Sequence, residues 1–302
     1  MEKTTISVII INFNTAQLTF DCINSIKKLE SNKNIEFIIV DNASRAEDYN
    51  TLKDLLSGFD QLQLVRSKVN LGFGAGNMFG YQFARGQYLA FINSDVLFTM
   101  PVFDELLRFM KNHPQVGVCA PQILDENRQE SISFRHFEGI RYKLLGKKFL
   151  ELTAPGKPSP QKKYTEPIEV DFVLGSFMFF KTTAFEAVGG FDINIFLYYE
   201  EADICQRLKN KGYQTFFIPL LNYIHLEGKS SKEKLHLKLE HLLSYFYVTR
   251  KNYGFLKYFI IKNYLILAYA FKAPFKKKNR FIFKNIAFRH ESLSKSLRHQ
   301  VK

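Results

Sequence analysis

Apolar, largely β-branched runs punctuate the first hundred residues, and helix-spaced segments separate them. Ile6 to Ile11 reads as a buried strand, and Leu18, Cys22, Ile23, Ile26 and Leu29 then recur at helical spacing over 15–30. Residues 35–40 form a second run ending at Asp41, followed by a helix over 47–57 and a strand over 62–66. Residues 75–85 read as a helix entered through the glycine-rich stretch Asn70 to Asn77, and 87–92 as a strand. A helix over 101–112 follows, with Pro101 at its first position. Strands apolar throughout and alternating with helices specify an α/β fold, a mostly parallel, Rossmann-like sheet with helices on both faces.

The second half is less regular. Residues 125–169 are polar, basic and broken by Pro155, Pro158, Pro160 and Pro167, the texture of an irregular insertion. A strand-like run follows over Val170 to Phe180, then a turn at Gly189 to Asp192 and a helix opening near Glu200. Residues 213–218 read as a strand and 232–251 as a long helix with Leu235, Leu239, Leu242 and Leu243 on one side.

In open α/β sheets ligands bind beyond the carboxyl ends of the strands. Three polar clusters sit there: Asn12/Asn14, Asp41/Asn42 and Asn93/Asp95. Asp95 suits Mg²⁺ or Mn²⁺, which take oxygen ligands and bridge to phosphates, although on Asn93, Ser94 and Asp95 alone a helix or turn cap is the more common role. Around Glu200, three carboxylates crowd one helical turn: Glu200 and Asp203 share a face, and Glu201 points about 100° from Glu200. Glu201 has the chemistry of a general base; an acidic first turn favoured by the helix dipole is the alternative. His225 is a candidate metal ligand or phosphate donor, or a satisfied structural histidine. The glycines at 72, 74 and 76 match neither the dinucleotide fingerprint nor a Walker loop.

The net charge of +13 is local. Residues 250–302 carry 14 Lys or Arg and one acid, Glu291, which leaves the preceding residues balanced. Basic residues beside the aromatic, apolar segment Phe255 to Phe271 suit an anionic membrane surface, or a packed C-terminal helix with a solvated basic end. That segment is broken by Lys262 and Asn263, too soon for a spanning helix. Nothing resembles a nucleic-acid-binding signature, so no nucleic-acid partner is expected. Cys22, Cys119 and Cys205 are scattered and odd in number, which argues against a disulfide framework and fits a reducing cytoplasm. The short run at Ile6 is a strand, not a signal segment.

The order of these clusters is more specific than any one of them. Ile6 to Asn14, Val40-Asp-Asn-Ala-Ser44, Asn70-Leu-Gly-Phe-Gly-Ala-Gly-Asn77 and Phe91-Ile-Asn-Ser-Asp95 precede Val170-Asp-Phe-Val-Leu-Gly-Ser176, Gly189-Gly-Phe-Asp192, the Glu200–Arg207 cluster and His225. This series resembles glycosyltransferase family 2, of the GT-A fold, and its rhamnosyltransferase-type members most. The resemblance covers roughly residues 5–250. It implies a GT-A domain over 1–250, with a nucleotide-binding part over 1–120 and an acceptor and catalytic part over 121–250. Residues 251–302 would form a basic, aromatic, partly helical extension.

By this resemblance Phe13 and Asp41 would contact the nucleotide base, with the backbone of Ile11 and Asn14 nearby. Asn70, Gly72 and Asn77 would line the nucleotide-sugar pocket. Asn93-Ser94-Asp95 matches the family's DxD element, with Asp95 on the metal and Asn93 on ribose or water. Glu201 stands at the position of the catalytic base, Asp203 is a reserve, and His225 would complete the metal or diphosphate site. Two positions depart from the pattern: Asn93 replaces the first acid, and Glu201 replaces an aspartate. The implied activity is metal-dependent inverting transfer from a dTDP-rhamnose or UDP-hexose donor to a glycan hydroxyl, lipid-linked, in cell-surface polysaccharide assembly. The implied place is the cytoplasmic face of the cell membrane, held peripherally. A non-catalytic nucleotide-sugar-binding or scaffold protein and a nucleotidyltransferase are the alternatives.

Overall fold

The computed structural model describes residues 5–30, 34–137, 157–226, 234–287 and 296–297. Strands β1 (Ile6–Asn12), β2 (Ile35–Asn42), β3 (Leu62–Ser67) and β4 (Tyr88–Asn93) form a parallel half-sheet in the order β3-β2-β1-β4. Helices α1 (Ala16–Leu29), α2 (Ala46–Leu55) and α3 (Gly72–Tyr81) connect them. Their central residues, among them Val8, Ile9, Ile38, Ile39, Leu89 and Phe91, are fully buried, as two covered faces require.

Beyond β4 the sheet becomes mixed. After the short β5 (Val96–Leu97), helix α4 (Phe103–Asn112) leads into β6 (Val116–Leu124). Strand β10 (Phe177–Lys181) runs antiparallel between β4 and β6, and β11 (Gln214–His225) lies parallel to β6. The edge pairings on β11 are antiparallel: β5 near its end and β8 (Ile168–Glu169) near its start. A two-stranded piece, β7 (Phe134–Arg135) with β9 (Phe172–Val173), stands off this sheet. Helices α5 (Thr182–Ala187) and α6 (Glu200–Asn210) separate β10 from β11.

Four sequence expectations shift. The helix expected over 75–85 begins at Gly72, within the glycine-rich stretch. Its glycines are helical because α3 lies hard against β1 and β2: a β-carbon at Gly80 would stand 2.7 Å from Val40 Cγ2 and 2.8 Å from Ile9 Cγ2. Packing here overrides glycine's poor helix propensity. Pro101 lies outside α4, which starts at Phe103. The run Val170–Phe180 is two strands with a break at 174–176, and the strand expected over 213–218 continues to His225. Much of the expected insertion, 138–156, lies outside the described residues.

The C-terminal helices α7 (Lys234–Tyr253), α8 (Phe255–Lys272) and α9 (Lys277–Ala287) bury their own cluster, in which Leu239 and Phe246 meet Tyr258, Ile261, Ile282 and Ile286. Helix α7 runs through residue 250 and is tied to the sheet domain by charge. Lys251 Nζ lies 2.7 Å from Asp192 Oδ2 and 2.9 Å from Asp203 Oδ1, while Arg207 Nη2 lies 2.8 Å from Asp203 Oδ2.

Tryptophan is absent, and phenylalanine fills the core in its place. Phe91 meets Phe185 at 5.0 Å and Phe191 at 4.9 Å between ring centroids, within the range of favourable aromatic pairs. Phe91→Ala should therefore lower the unfolding free energy by about 3–5 kcal/mol, read from urea denaturation.

Candidate active site

Asn12 organises the carboxyl end of the parallel strands. It is fully buried, and its Nδ2 lies 3.1 Å from Asp41 Oδ1, 3.0 Å from Ser44 Oγ and 2.9 Å from Asp48 Oδ2. Its Oδ1 accepts from Thr15 Oγ1 at 3.1 Å and Thr19 Oγ1 at 2.8 Å. Asn42 clamps the next loop: Nδ2 donates to Asn70 Oδ1 at 3.0 Å, and Oδ1 accepts from the Leu71 N–H at 2.9 Å. Gly72 has φ +78, and a β-carbon there would meet the Phe196 carbonyl oxygen at 2.2 Å. Only glycine permits that approach, which lets Phe73 N–H donate to the same oxygen at 2.8 Å.

These contacts leave a cavity of about 300 Å³. Its walls include Ile11, Phe13, Asn70, Gly72, Asn93, Ser94 and Asp95, all expected from sequence, together with Thr15, Asn42, Phe73 and Phe196. Thr15 Oγ1 lies 3.1 Å from Ser94 Oγ, a contact between hydroxyls that joins the loop after β1 to the loop after β4. His225 enters through the pairing of β11 with β5, which sets His225 opposite Val96. Its Nε2 is 3.2 Å from Asp95 Oδ1. Among the described residues no group of three His, Cys, Asp or Glu side chains forms a closed metal cage. One carboxylate with one imidazole still fits Mg²⁺ or Mn²⁺, since such ions keep open positions for phosphate oxygens and water.

Three expected nucleotide contacts lie elsewhere. Asp41 is fully buried and faces Arg66, whose Nε is 3.0 Å from its Oδ2. Its carboxylate is turned into the protein, and Arg66, stacked 3.9 Å over Tyr49, covers it. Asn14 is an exposed turn residue with φ 58: its N–H donates to Ser44 Oγ and its Oδ1 accepts from the Arg45 N–H. Asn77 is buried within α3 and does not line the cavity.

A second, larger cavity measures about 560 Å³. Glu201 lines it, with Arg135 and His136 on one side and Tyr198, Tyr199, His241, Tyr245, Asn252 and Tyr253 on another. Gly175 stands between the two cavities. A β-carbon there would be 3.8 Å from Phe73 Cζ and 4.0 Å from Glu201 Oε2. Burial raises the Glu201 pKa, against the lowering effects of a backbone hydrogen bond and of Arg135. Glu200 points away, beside Gly74, and is buried. Its pKa is raised more strongly, by burial first and by the Glu201 charge second.

The turn that carries both tyrosines is strained, with φ 73 at Tyr198 and 71 at Tyr199. Helix α7 supports it. Ser244 Oγ donates to the Leu197 carbonyl at 2.8 Å, and His241 stands against both tyrosine rings. On the opposite wall, Asp171 anchors the segment after β7: His136 Nδ1 is 3.1 Å and Lys209 Nζ 3.2 Å from its oxygens, and Lys157 pairs with it too. Burial alone would raise the Asp171 pKa, but these partners hold it well below the usual carboxylate range.

Asp203 is a correction. It is fully buried, bound by Arg207 and Lys251, and accepts from Asn252 Nδ2 at 3.1 Å. A carboxylate so occupied has no path to a substrate proton, so it is no reserve base. The larger cavity's aromatic lining was missed in the sequence. A signal existed: His241, Tyr245, Thr249 and Tyr253 fall four apart along α7 and share a face.

The family model for Glycosyl transferase family 2 matches residues 7–189, more than half of the chain. The chain belongs to glycosyl transferase family 2 and is a glycosyltransferase, which sets aside the nucleotidyltransferase and non-catalytic alternatives. It is 27% identical over 215 residues to the rhamnosyltransferase WbbL of Escherichia coli (strain K12), covering 66% of this chain and 78% of that one. It is 24% identical over 248 residues to the N-acetylglucosaminyl-diphospho-decaprenol L-rhamnosyltransferase of Mycobacterium tuberculosis (strain CDC 1551 / Oshkosh), covering 75% and 78%. Among solved structures, GalNAc-T7, crystallised with UDP, GalNAc and Mn²⁺, matches with a TM-score of 0.62 at 16% identity. That match covers 96% of this chain and 57% of the other, and it supports the GT-A fold.

Asp203→Asn should lower stability by about 3 kcal/mol, because it leaves Arg207 and Lys251 without their buried partner. The folded fraction should keep its transfer activity within about tenfold, the outcome expected of a residue outside proton transfer. Urea denaturation with activity per folded molecule reads both.

Proposed function

We propose that this chain transfers a sugar from a nucleotide-sugar donor in the smaller cavity to a hydroxyl of a glycan acceptor in the larger one, with inversion at the anomeric carbon. The observation that carries the reading is the position of Glu201, a wall residue of the larger cavity whose carboxylate lies beside Gly175, which also approaches Phe73 in the wall of the smaller. The acceptor oxygen attacks the anomeric carbon as the bond to the diphosphate oxygen breaks, and Glu201 takes the acceptor's proton. The raised pKa brings Glu201 nearer the operating pH, which suits a base that must hold the proton it accepts. Binding both substrates supplies proximity between the reacting groups.

On the donor side, Ile11 and Phe13 offer an apolar wall for the nucleoside, and Asn70, Gly72 and Asn93 offer polar and backbone groups. The N-terminus of α3 at Gly72 and Phe73 favours the diphosphate charge. Asp95 and His225 would hold Mg²⁺ or Mn²⁺, which neutralises charge on the leaving diphosphate. With Asn93 in place of an acid, few protein charges bind the ion, so its affinity depends on the nucleotide. The two rhamnosyltransferase relatives favour a deoxyhexose such as dTDP-linked rhamnose over a UDP-hexose. The decaprenol-linked substrate named for one of them favours a lipid-linked acceptor; a place in cell-surface polysaccharide assembly, on the cytoplasmic side of the membrane, is part of the same proposal.

Glu201→Gln should lower kcat about 10²–10⁴-fold with donor affinity unchanged, in a steady-state assay paired with calorimetry. In the parent enzyme, activity should fall as pH drops through the raised pKa of the glutamate pair, above the ordinary glutamate range. A profile flat down to that range removes Glu201 as base.

Calorimetry should find Mn²⁺ bound weakly by the protein alone and tightly once a nucleoside diphosphate is present. Asp95→Asn should cost at least about tenfold in that coupled affinity. Tight Mn²⁺ binding without nucleotide contradicts the two-residue site.

A further inference from the structure

Helix α8 is fixed by one side only. Tyr258 and Ile261 are buried against α7 and α9, and Tyr258 meets the Phe246 ring at 6.2 Å. The other side is open: Phe255 is 63% exposed, Leu256 72%, Phe259 50%, Leu267 59% and Phe271 78%, with Phe275 just beyond at 84%. At about 100° per residue, the exposed positions from 255 to 271 span half the helix circumference, and only Asn263 among them is polar. Lys257 and Lys262 fall at the two margins of this arc. A soluble surface rarely leaves so continuous an apolar strip uncovered.

We propose that this face of α8, with the basic turn and helix that follow it, docks on an anionic lipid surface. Charge selects this occupant. Residues 255–287 include eight Lys or Arg and no Asp or Glu, and Lys272, Lys276, Lys277, Lys278 and Arg280 are exposed. A second copy of the chain seated on this face would set like charge against like charge, whereas anionic headgroups neutralise it. Lysines at the margins of an apolar arc can lay their stems along the acyl boundary and keep their ammonium groups among the headgroups. The helix lies along the surface and does not cross it: Tyr258 and Ile261 are committed to the protein core, and no described helix is long and apolar enough to span a membrane.

The docking geometry also concerns the larger cavity. Its wall on α7 ends at Tyr253, two residues before the exposed face begins at Phe255. A docked α8 therefore brings that wall close to the lipid surface, within reach of a membrane-anchored acceptor. The docking itself needs neither donor nor acceptor, so its test is separate from that of the transfer reaction.

The full chain is floated with phosphatidylcholine vesicles with and without phosphatidylglycerol. Binding should require phosphatidylglycerol and weaken with salt. The triple variant Phe259→Glu, Leu267→Glu, Phe271→Glu should lose binding. The variant Lys276→Gln, Lys277→Gln, Lys278→Gln should weaken it by up to about a hundredfold, from roughly fivefold per basic residue. Both variants alter exposed side chains and should keep the parent's melting temperature. The chain has no tryptophan, so Phe271→Trp supplies a sole reporter whose emission should shift to the blue on anionic vesicles, whatever the fate of the charged variants. The proposal is overturned if the parent chain fails to float with anionic vesicles, or if the reporter's emission does not move. It is also overturned if sedimentation finds a dimer that the triple glutamate variant dissolves while vesicles go unbound.

Discussion

The Asn12 side chain is the constraint on which the carboxyl end of the parallel strands rests. Parallel strands deliver their carboxyl ends to one edge, and the loops that leave them bring polar groups into a dry region. Each such group needs a partner or carries a penalty. Asn12 meets that need for several at once, with the loop after β1 on its carbonyl and the loop and helix after β2 on its amide. Asp48 extends the network by accepting from the first N–H of α1. Asp41 is drawn inward by the same network and by Arg66, which is why the cavity wall is left to Ile11, Phe13 and the Asn70–Gly72 loop.

The other end rests on a different device. Two successive left-handed tyrosines cost energy that local contacts within the turn do not return. Helix α7 supplies the compensation through Ser244, His241 and Tyr245, and Lys251 locks α7 in place between Asp192 and Asp203. The region matching the family ends at residue 189, before this turn begins. The smaller cavity is thus built mainly from the matched region, and much of the larger cavity's wall from residues beyond it.

The parallel half of the sheet was legible because burial on both faces forces continuous apolar runs, and the runs at Ile6, Ile35 and Tyr88 have no competing reading. The start of α3 was not legible, since the glycines that signal a loop in isolation are there to let backbone meet Phe196, Asp192 and Ile11. The break at 174–176 was hidden for the opposite reason: its flanks are as apolar as a strand. At the site, Asp95 and Glu201 were found as strand-end and helix-start carboxylates, and each borders a cavity. Asp41 and Asp203 carry the same sequence signal, and only their partners Arg66, Lys251 and Arg207, remote in sequence or unremarkable in type, remove them from the cavity walls.

That contrast bears on how so many acids are accommodated around these cavities. Asp41 and Asp203 are neutralised by cations, while Glu200 has no ion pair among the described residues and is buried beside Glu201. Burial and the adjacent charge together favour the protonated form of Glu200, and the two carboxyls titrate as a coupled unit. Over the range in which that unit holds one proton, the pair presents one negative charge instead of two. Glu201 faces the larger cavity near Arg135, whose charge favours its ionised form, whereas Glu200 faces the packed start of α3. Burial thus favours the protonated form at both carboxyls, more strongly at Glu200, and Arg135 opposes it at Glu201.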